Sequence, residues 1–202
     1  MPNEHLEYYD NGQIKEKYFL DNDQLEGEAI YYNQKGKLIQ KAYFRNGKLN
    51  GEVTIYTPEG ITGQQLNYQN NVLNGPMKIY QDGKLHLVIP YKEGEKEGEV
   101  IKYNDNGVIE EKSMYKKGKL DGQSQFFFNG LLVKSLAYKE GKLDGEVSTY
   151  YLNGKLQEKA SYKNNKLDGE VLKYSIDGKL VERSIYKEGG LIKTQKADMT
   201  KR

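Results

Sequence analysis

The stretch LDGEVSTYYLNGKLQEKASYKNNK, residues Leu143–Lys166, decides the fold of this chain. It holds two segments, EVSTYY and KLQEKASY, each bounded by Gly, Asn or Asp, which tolerate the positive φ of tight turns. Side chains alternate along the first segment, where Val147 and Thr149 face one way and Glu146 and Ser148 the other. Because a period of two over so short a segment is typical of a strand, the unit is predicted to be a β-hairpin.

The same hairpin recurs along the chain every 23 or 24 residues. One glycine series marks the period: Gly27, Gly51, Gly75, Gly98, Gly122, Gly145 and Gly169. A tyrosine series runs in register with it: Tyr18, Tyr43, Tyr68, Tyr91, Tyr115, Tyr138, Tyr162 and Tyr186. The repeat predicts an all-β fold, an elongated, twisted, single-layer antiparallel meander of about eight hairpins, each packed on its neighbours. Residues 1–192 are expected to form this single repeat domain and residues 193–202 a charged tail.

Composition narrows the classes of function. Charged residues make up 30% of the 202 residues, yet the formal net charge is only +2, so no nucleic-acid partner is expected. The absence of cysteine excludes disulfides and thiol catalysis. No apolar run is long enough to span a bilayer, and the polar start of the sequence predicts a cytoplasmic protein, or a periplasmic one if a leader has been removed.

The paired motifs LDGEVxxYY and NGKLxEKxxY resemble the variant MORN repeat, and the resemblance covers the chain from about Leu6 to Ile192. In bacteria this variant is widely labelled as the antitoxin or immunity partner of a toxin. The resemblance implies a curved antiparallel sheet that binds and neutralises a toxic effector, and it supplies no catalytic residues. The His pattern of MORN repeats associated with membrane lipids is missing, since only His5 and His86 are present.

Residues that could carry chemistry have simpler interpretations. A row of glutamates follows the glycines and is predicted to pair with lysines on neighbouring strands: Glu28, Glu52, Glu99, Glu146 and Glu170. The Asp-Gly dipeptides at Asp121, Asp144 and Asp168 are interpreted as turns, because the spacing of calcium-binding loops is lacking. His86 has no second histidine near it in sequence. The chain is therefore predicted to be neither an enzyme nor a holder of a metal or other cofactor.

Two windows break the regular charge pattern, Gly60–Tyr91 and Gly122–Ala137. Both are poor in charge and rich in apolar residues, which indicates either local reinforcement of the core at a bend or an exposed patch that binds a partner. The partner hypothesis assigns the contact to seven residues: Leu87, Ile89, Tyr91, Ile101, Phe126, Phe128 and Leu132.

Two functions follow from these observations. The first is a non-enzymatic antitoxin or immunity protein that neutralises a cognate toxin or secreted effector by direct binding, monomeric when alone. The alternative is a structural or scaffolding repeat protein at a membrane surface, which the near-neutral charge disfavours.

Overall fold

The computed structural model describes residues 1–196, and within them it contains strands and turns and no helix. The chain divides into two compact units, Met1–Glu97 and Gly98–Arg202. Of the predicted charged tail, residues 193–196 end the last strand, and residues 197–202 lie outside the described residues.

The first unit is an antiparallel sheet in which strands pair in chain order. Its strands are β1 (Asn3–Tyr8), β2 (Ile14–Asp21), β3 (Gln24–Leu25), β4 (Gly27–Tyr32), β5 (Leu38–Arg45), β6 (Lys48–Leu49), β7 (Gly51–Tyr56), β8 (Thr62–Gln69), β9 (Val72–Leu73), β10 (Gly75–Gln81), β11 (Lys84–Lys92) and β12 (Glu95–Lys96). Bulges at Glu26, Asn50 and Asn74 separate a short piece of strand from the longer piece that follows it.

The second unit continues the same pattern of hairpins. Its strands are β13 (Gly98–Tyr103), β14 (Ile109–Lys116), β15 (Lys119–Phe128), β16 (Leu131–Lys139), β17 (Lys142–Tyr150), β18 (Leu156–Lys163), β19 (Lys166–Tyr174), β20 (Leu180–Lys187) and β21 (Gly190–Lys196). Each strand pairs antiparallel with the next. The predicted all-β meander of tandem hairpins is confirmed.

A row of mostly small side chains, six of them buried and Val100 and Val147 half-buried, lies on one face of the second unit, here called the packing face. Successive cross-strand partners make up this row: Val100, Ser113, Ser124, Leu136, Val147, Ala160, Val171 and Ser184. In the first unit the corresponding face holds a cluster of Ala42, Val53 and Leu66, against which Phe44 and Tyr68 pack. Small residues in the row let the larger rings lie against the sheet, so one layer of strands can bury a core.

The repeated glycines pair with aromatic residues of the neighbouring strand, as in Gly145 opposite Tyr162 and Gly169 opposite Tyr186. Gly145 has a φ of 118°, and a Cβ placed on it would lie 2.8 Å from the Cβ of Ala137. Both the backbone conformation and this close approach require glycine. The glycine period in the sequence therefore marks a bulge that recurs in each repeat.

The Asp-Gly dipeptides lie inside strands at these bulges, so their interpretation as turns is wrong. The Oδ2 atoms of Asp121 and Asp144 accept hydrogen bonds from the backbone N–H groups of Glu140 (3.0 Å) and Asn164 (3.3 Å) in the following turn. Asp168 does the same for Glu188 at 3.2 Å, and this bond lowers the pKa of Asp168, as does the Lys187 ammonium. These carboxylates connect successive repeats.

The face opposite the packing face carries the glutamate row, here called the charged face. Four of its glutamates pair with a cation of the neighbouring strand, as predicted: Lys41–Glu28 (3.8 Å), Lys112–Glu99 (3.7 Å), Lys159–Glu146 (2.5 Å) and Arg183–Glu170. Glu52 instead accepts hydrogen bonds from Thr54 (2.8 Å) and Gln65 (3.2 Å). These exposed pairs set the cross-strand register more than they add stability.

The two low-charge windows coincide with hairpins in which uncharged residues replace the glutamate–cation pair of the charged face. In the first unit Pro76 and Val88 occupy the positions of the glutamate and its cation, and Pro90 lies directly opposite Pro76. In the second unit Ser135 donates a hydrogen bond of 2.9 Å to Gln123. The loss of a charged pair in each hairpin thus explains part of the low charge.

Candidate binding surface on the hairpin turns

The hairpin turns of the second unit expose a row of large apolar side chains, here called the apolar turn row. Its members lie at or beside the turns that follow β13, β15, β17 and β19: Val108 (37% exposed), Phe128 (55%), Leu131 (48%), Leu152 (61%), Ile176 (60%) and Leu180 (42%). Successive turns on one side of a meander lie two strand spacings apart, about 10 Å, so these side chains form a row of neighbours.

Hydrogen bonds between turns hold the row in place. The side-chain amide of Asn153 donates to the carbonyl oxygen of Ile176 (3.0 Å), and the Tyr151 hydroxyl donates to the carbonyl oxygen of Tyr174 (2.8 Å). These bonds join the turn that carries Leu152 to the turn that carries Ile176. The apolar groups are therefore presented on a fixed backbone, which reduces the entropy lost on binding.

Another part of the row sits on a tighter turn. Phe128 and Leu131 are direct cross-strand partners across Asn129 and Gly130. Both turn residues have positive φ, 49° and 79°, as a two-residue turn of type I′ requires. This turn fixes the two exposed side chains next to each other.

Folding does not require apolar residues at four of these six places, because the first unit builds the equivalent turns with other side chains. The positions of Val108 and Leu180, by contrast, hold Ile61 and Ile14 in the first unit. The position of Leu152 and Ile176 in the five-residue turn is occupied by Asp10, Gln34 and Pro58 in the first unit. The positions of Phe128 and Leu131 are occupied by Gln81 and Lys84 around the two-residue turn between β10 and β11. The apolar turn row is thus a feature of the second unit's surface, and exposed apolar patches are typical of interaction sites.

The opposite turns of the second unit carry a second surface feature, the lysine turn row. It comprises the lysines that flank the turns after β14, β16, β18 and β20: Lys116, Lys119, Lys139, Lys142, Lys163, Lys166 and Lys187. All seven are exposed. The second unit therefore has apolar turns along one side of its sheet and cationic turns along the other.

Three of the partner-binding residues predicted from sequence lie together in the first unit, on β11. Leu87, Ile89 and Tyr91 alternate onto the packing face, opposite Ile79, Met77 and Gly75 respectively. Ile89 is only 7% exposed and belongs to the core, whereas Leu87 and Tyr91 are half-buried.

The other four predicted residues lie in the second unit and do not share a face. Ile101 is on the charged face opposite Lys112, and Phe126 is on the packing face opposite Lys134. A bulge follows Phe126, after which Leu132 pairs with Phe127 and Phe128 reaches the turn. Of the seven predicted residues, Phe128 alone is exposed and belongs to the apolar turn row.

Sequence reasoning missed Leu152, Ile176 and Leu180, which stand singly among polar turn residues and outside the low-charge windows. Aligning the repeats on their turn glycines reveals Leu152 and Ile176, because the same column holds polar residues or proline in the other five-residue turns. Leu180 falls in a column that is apolar in nearly every repeat, so this alignment does not single it out.

No cluster in residues 1–196 suggests a metal centre, since no three His, Asp or Glu side chains there could hold an ion. His86 lies half-buried in β11. No helix among the same residues is long and apolar enough to cross a membrane.

The fold and its turn surfaces define the class of protein, a tandem β-hairpin repeat protein. The model of the MORN repeat variant matches four segments, residues 3–22, 25–46, 96–117 and 143–164. The four matched repeats are thus similar to the MORN repeat variant, and such repeats suggest a binding or scaffold protein.

Other comparisons add little. No curated protein matches the sequence. Among solved structures, the crystal structures of TcdB2-TccC3 and TcdB2-TccC3-Cdc42 match at 10% and 12% identity, both with a TM-score of 0.18. Each match covers 90% of this chain and 12% of the other chain. This chain thus spans about an eighth of the length of those proteins, and with so low a TM-score the likeness carries no argument.

Proposed function

We infer that this protein is a non-enzymatic binding protein that neutralises a toxin or secreted effector by direct contact in the cytoplasm. The observation that carries the proposal is the apolar turn row. Leu152 and Ile176 are each at least 60% exposed, at positions where the first unit uses other residues. Because their exposure serves no purpose in the isolated chain, a partner that covers them accounts for their presence.

The row has the features of an interface core. Phe128 and Leu131 form an aromatic–aliphatic pair on a rigid turn, and such anchors contribute most of the energy in many interfaces. Asn153 lies beside Leu152 and supplies a polar group for a rim. A toxin bound along this row would have its surface covered over several turns, which is sufficient to block an active site.

The test is co-expression with the product of the neighbouring gene, followed by co-purification and a toxicity assay. A variant with Phe128→Gln, Leu131→Lys, Leu152→Asp and Ile176→Gln replaces each side chain by the one at an equivalent turn of the first unit. Because those residues are compatible with the turns, we expect an unchanged fold, binding weakened by about 100-fold or more, and lost neutralisation.

A matched control alters exposed apolar residues of the first unit. Ile61→Lys and Val72→Lys introduce the residues present at the same positions of other turns, and this double variant should bind normally. Normal binding by the four-site variant would contradict the assignment of the apolar turn row. Failure to co-purify any neighbouring gene product would count against the neutralising function itself.

The alternative function, scaffolding at a membrane surface, is favoured by one observation, the lysine turn row. Cationic rows of this kind are attracted to anionic lipid headgroups. Flotation of the protein with vesicles that contain phosphatidylserine would support this alternative, and absence of flotation would exclude it.

A further inference from the structure

The lysines of the lysine turn row face one another in pairs. Lys116 is the direct cross-strand partner of Lys119, Lys139 of Lys142, and Lys163 of Lys166. Like charges directly opposite in a sheet are destabilising. Three successive hairpins repeat this unfavourable arrangement.

The fold does not require these pairs. At the same position next to a two-residue turn, the first unit has Asp21 opposite Gln24, Gln69 opposite Val72 and Lys92 opposite Glu95, and it has one like-charged pair, Arg45 opposite Lys48. The hairpin thus accepts uncharged and oppositely charged pairs. The second unit nevertheless keeps the repulsion between paired lysines in three neighbouring hairpins. This indicates that a ligand compensates the repulsion.

Nearby carboxylates form no ion pair with the three lysine pairs, although the charge of Lys163 contributes to the lowered pKa of Asp168. Asp121 and Asp144 accept hydrogen bonds from backbone N–H groups of the following turns. Among the residues that the structure describes, none forms an ion pair with any of the six paired lysines, and only Lys187 reaches a carboxylate, that of Asp168, at 3.3 Å. The paired ammonium groups are left facing solvent.

The distance between successive lysine pairs indicates what kind of ligand would fit them. Successive turns recur at about 10 Å, which is two strand spacings. Three residues of a chain in the polyproline II conformation span about 9 Å and complete one turn, so a peptide in this extended conformation with a carboxylate at every third residue presents all of its carboxylates to the row. Between two of the turns lies a groove of about 270 Å³ that could receive such a segment. Its charged lining consists of three lysines and two carboxylates: Lys163, Lys166, Lys187, Asp168 and Glu188.

We propose that the lysine turn row of the second unit binds an acidic, extended segment of a partner protein. The inference rests on the proposed function only for the existence of that partner. It assigns the turns opposite the apolar turn row a separate role, the electrostatic capture of an acidic segment, which speeds association.

A protein segment fits the row better than a nucleic acid. The row contains no arginine for bidentate contacts to phosphate and no aromatic ring for base stacking. Glu140 stands at the turn tip between Lys139 and Lys142, and Glu188 follows Lys187 at the last turn, so both would repel a continuous line of phosphates. Separate carboxylates about 10 Å apart can alternate with these glutamates.

The experiment measures binding of the full chain to a fluorescein-labelled peptide of Glu-Gly-Ser triplets, with a Gln-Gly-Ser peptide as the neutral probe. A poly-dT oligonucleotide and phosphatidylserine vesicles are tested in parallel. We expect the acidic peptide to bind, in a salt-sensitive manner, and the neutral peptide not to bind. A variant with Lys139, Lys142, Lys163 and Lys166 all replaced by Gln should weaken that binding by at least about 10-fold.

The matched control carries the same change of charge at the other turns, with Lys35, Lys37, Lys155 and Lys179 replaced by Gln. It should retain peptide binding within about 2-fold, because these lysines are outside the row. An equal loss in both variants would overturn the proposal, as it would show only the effect of net charge. Absence of peptide binding, or tighter binding of the oligonucleotide or vesicles through the same four lysines, would overturn it as well.

Failure of this inference can be told apart from failure of the proposed function. If the apolar-row variant loses the co-purified partner while the lysine variant associates with it at the normal rate, the acidic-segment proposal fails and the proposed function stands. If the peptide binds through the lysine row and no partner co-purifies, the proposed function fails alone.

Discussion

Leu143 and Asn165 exchange two hydrogen bonds across successive turns. The backbone N–H of Leu143 donates to Oδ1 of Asn165 (2.7 Å), and the backbone N–H of Asn165 donates to the carbonyl oxygen of Leu143 (2.8 Å). Leu49 and Asn71 form the same pair of bonds in the first unit, at 2.7 and 2.9 Å. This contact joins one repeat to the next.

Replacing Asn165 separates its two roles. Asn165 has a φ of 68°, which glycine adopts freely, so Asn165→Gly keeps the backbone bond and loses only the side-chain bond. We expect a loss of about 1 kcal/mol in the free energy of unfolding, measured by urea titration. Asn165→Ala should lose about 1 kcal/mol more, because an L side chain is strained at this φ.

Asn164→Gly is the control for this comparison. Asn164 also has a positive φ, 49°, and its backbone N–H, which the variant keeps, donates to Asp144. Its replacement should change the free energy of unfolding by less than about 0.5 kcal/mol. Equal losses at residues 164 and 165 would refute the role given to the Asn165 side chain.

The bulge at Gly145 predicts a larger effect. In Gly145→Ala the new Cβ would lie 2.8 Å from the Cβ of Ala137, in addition to the strain at a φ of 118°. We expect the free energy of unfolding to fall by about 3 kcal/mol. Gly154→Ala, at a φ of 80° with no atom within 4 Å of the new Cβ, should cost only about 1 kcal/mol. Similar thermal unfolding midpoints for the two variants would show that the contact with Ala137 relaxes at little cost.

Ser124 offers a substitution that should stabilise the protein. Its side chain is 2% exposed, and its hydroxyl has no hydrogen-bond partner in the part of the chain that the structure describes. Ser124→Ala removes this unsatisfied group, so the free energy of unfolding should rise by about 1 kcal/mol. Ser113 is its cross-strand partner, equally buried, but its hydroxyl donates to Glu111 at 2.7 Å. Ser113→Ala should therefore not stabilise, and an equal gain in both variants would contradict the explanation.

The repeat made the fold predictable from sequence, because the glycine and tyrosine periods fix both the strands and their order. The bulges were not predictable in the same way. Asp144 and Gly145 resemble a turn signal, yet they lie within β17, because Gly145 adopts a positive φ at a bulge inside the strand. Counting residues in steps of two across such a bulge misplaces every side chain that follows it.

The bulges also separate residues that the sequence placed in one site. Phe126 and Phe128 were expected to act together, but the bulge after Phe126 separates the packing face from the turn. Ile89 was predicted as a contact residue because it is apolar in a low-charge window, whereas it is buried opposite Met77. The single apolar residues Leu152 and Ile176 give no local signal, since only comparison among the turns shows that they are unusual.

Acid should weaken the contact that Asp168 makes with the last turn. The backbone N–H of Glu188 donates to Oδ2 of Asp168, and this bond, with the Lys187 ammonium, holds the pKa of Asp168 below its ordinary value. A carboxyl with a lowered pKa in the folded state stabilises the fold above its unfolded pKa of about 3.9. That contribution is lost as the pH falls through the folded pKa. Asp168→Asn should therefore be less stable than the wild type at pH 6, and the difference should shrink as the pH falls below about 4.

Urea titrations of both proteins over this pH range measure the effect. The asparagine carbonyl can still accept the hydrogen bond from Glu188, so the variant removes the charge and preserves the turn. Glu146→Gln should behave in the same direction, because the Lys159 ammonium lowers the pKa of Glu146. A difference between wild type and Asp168→Asn that stays constant with pH would mean that the charge of Asp168 does not stabilise the contact between repeats.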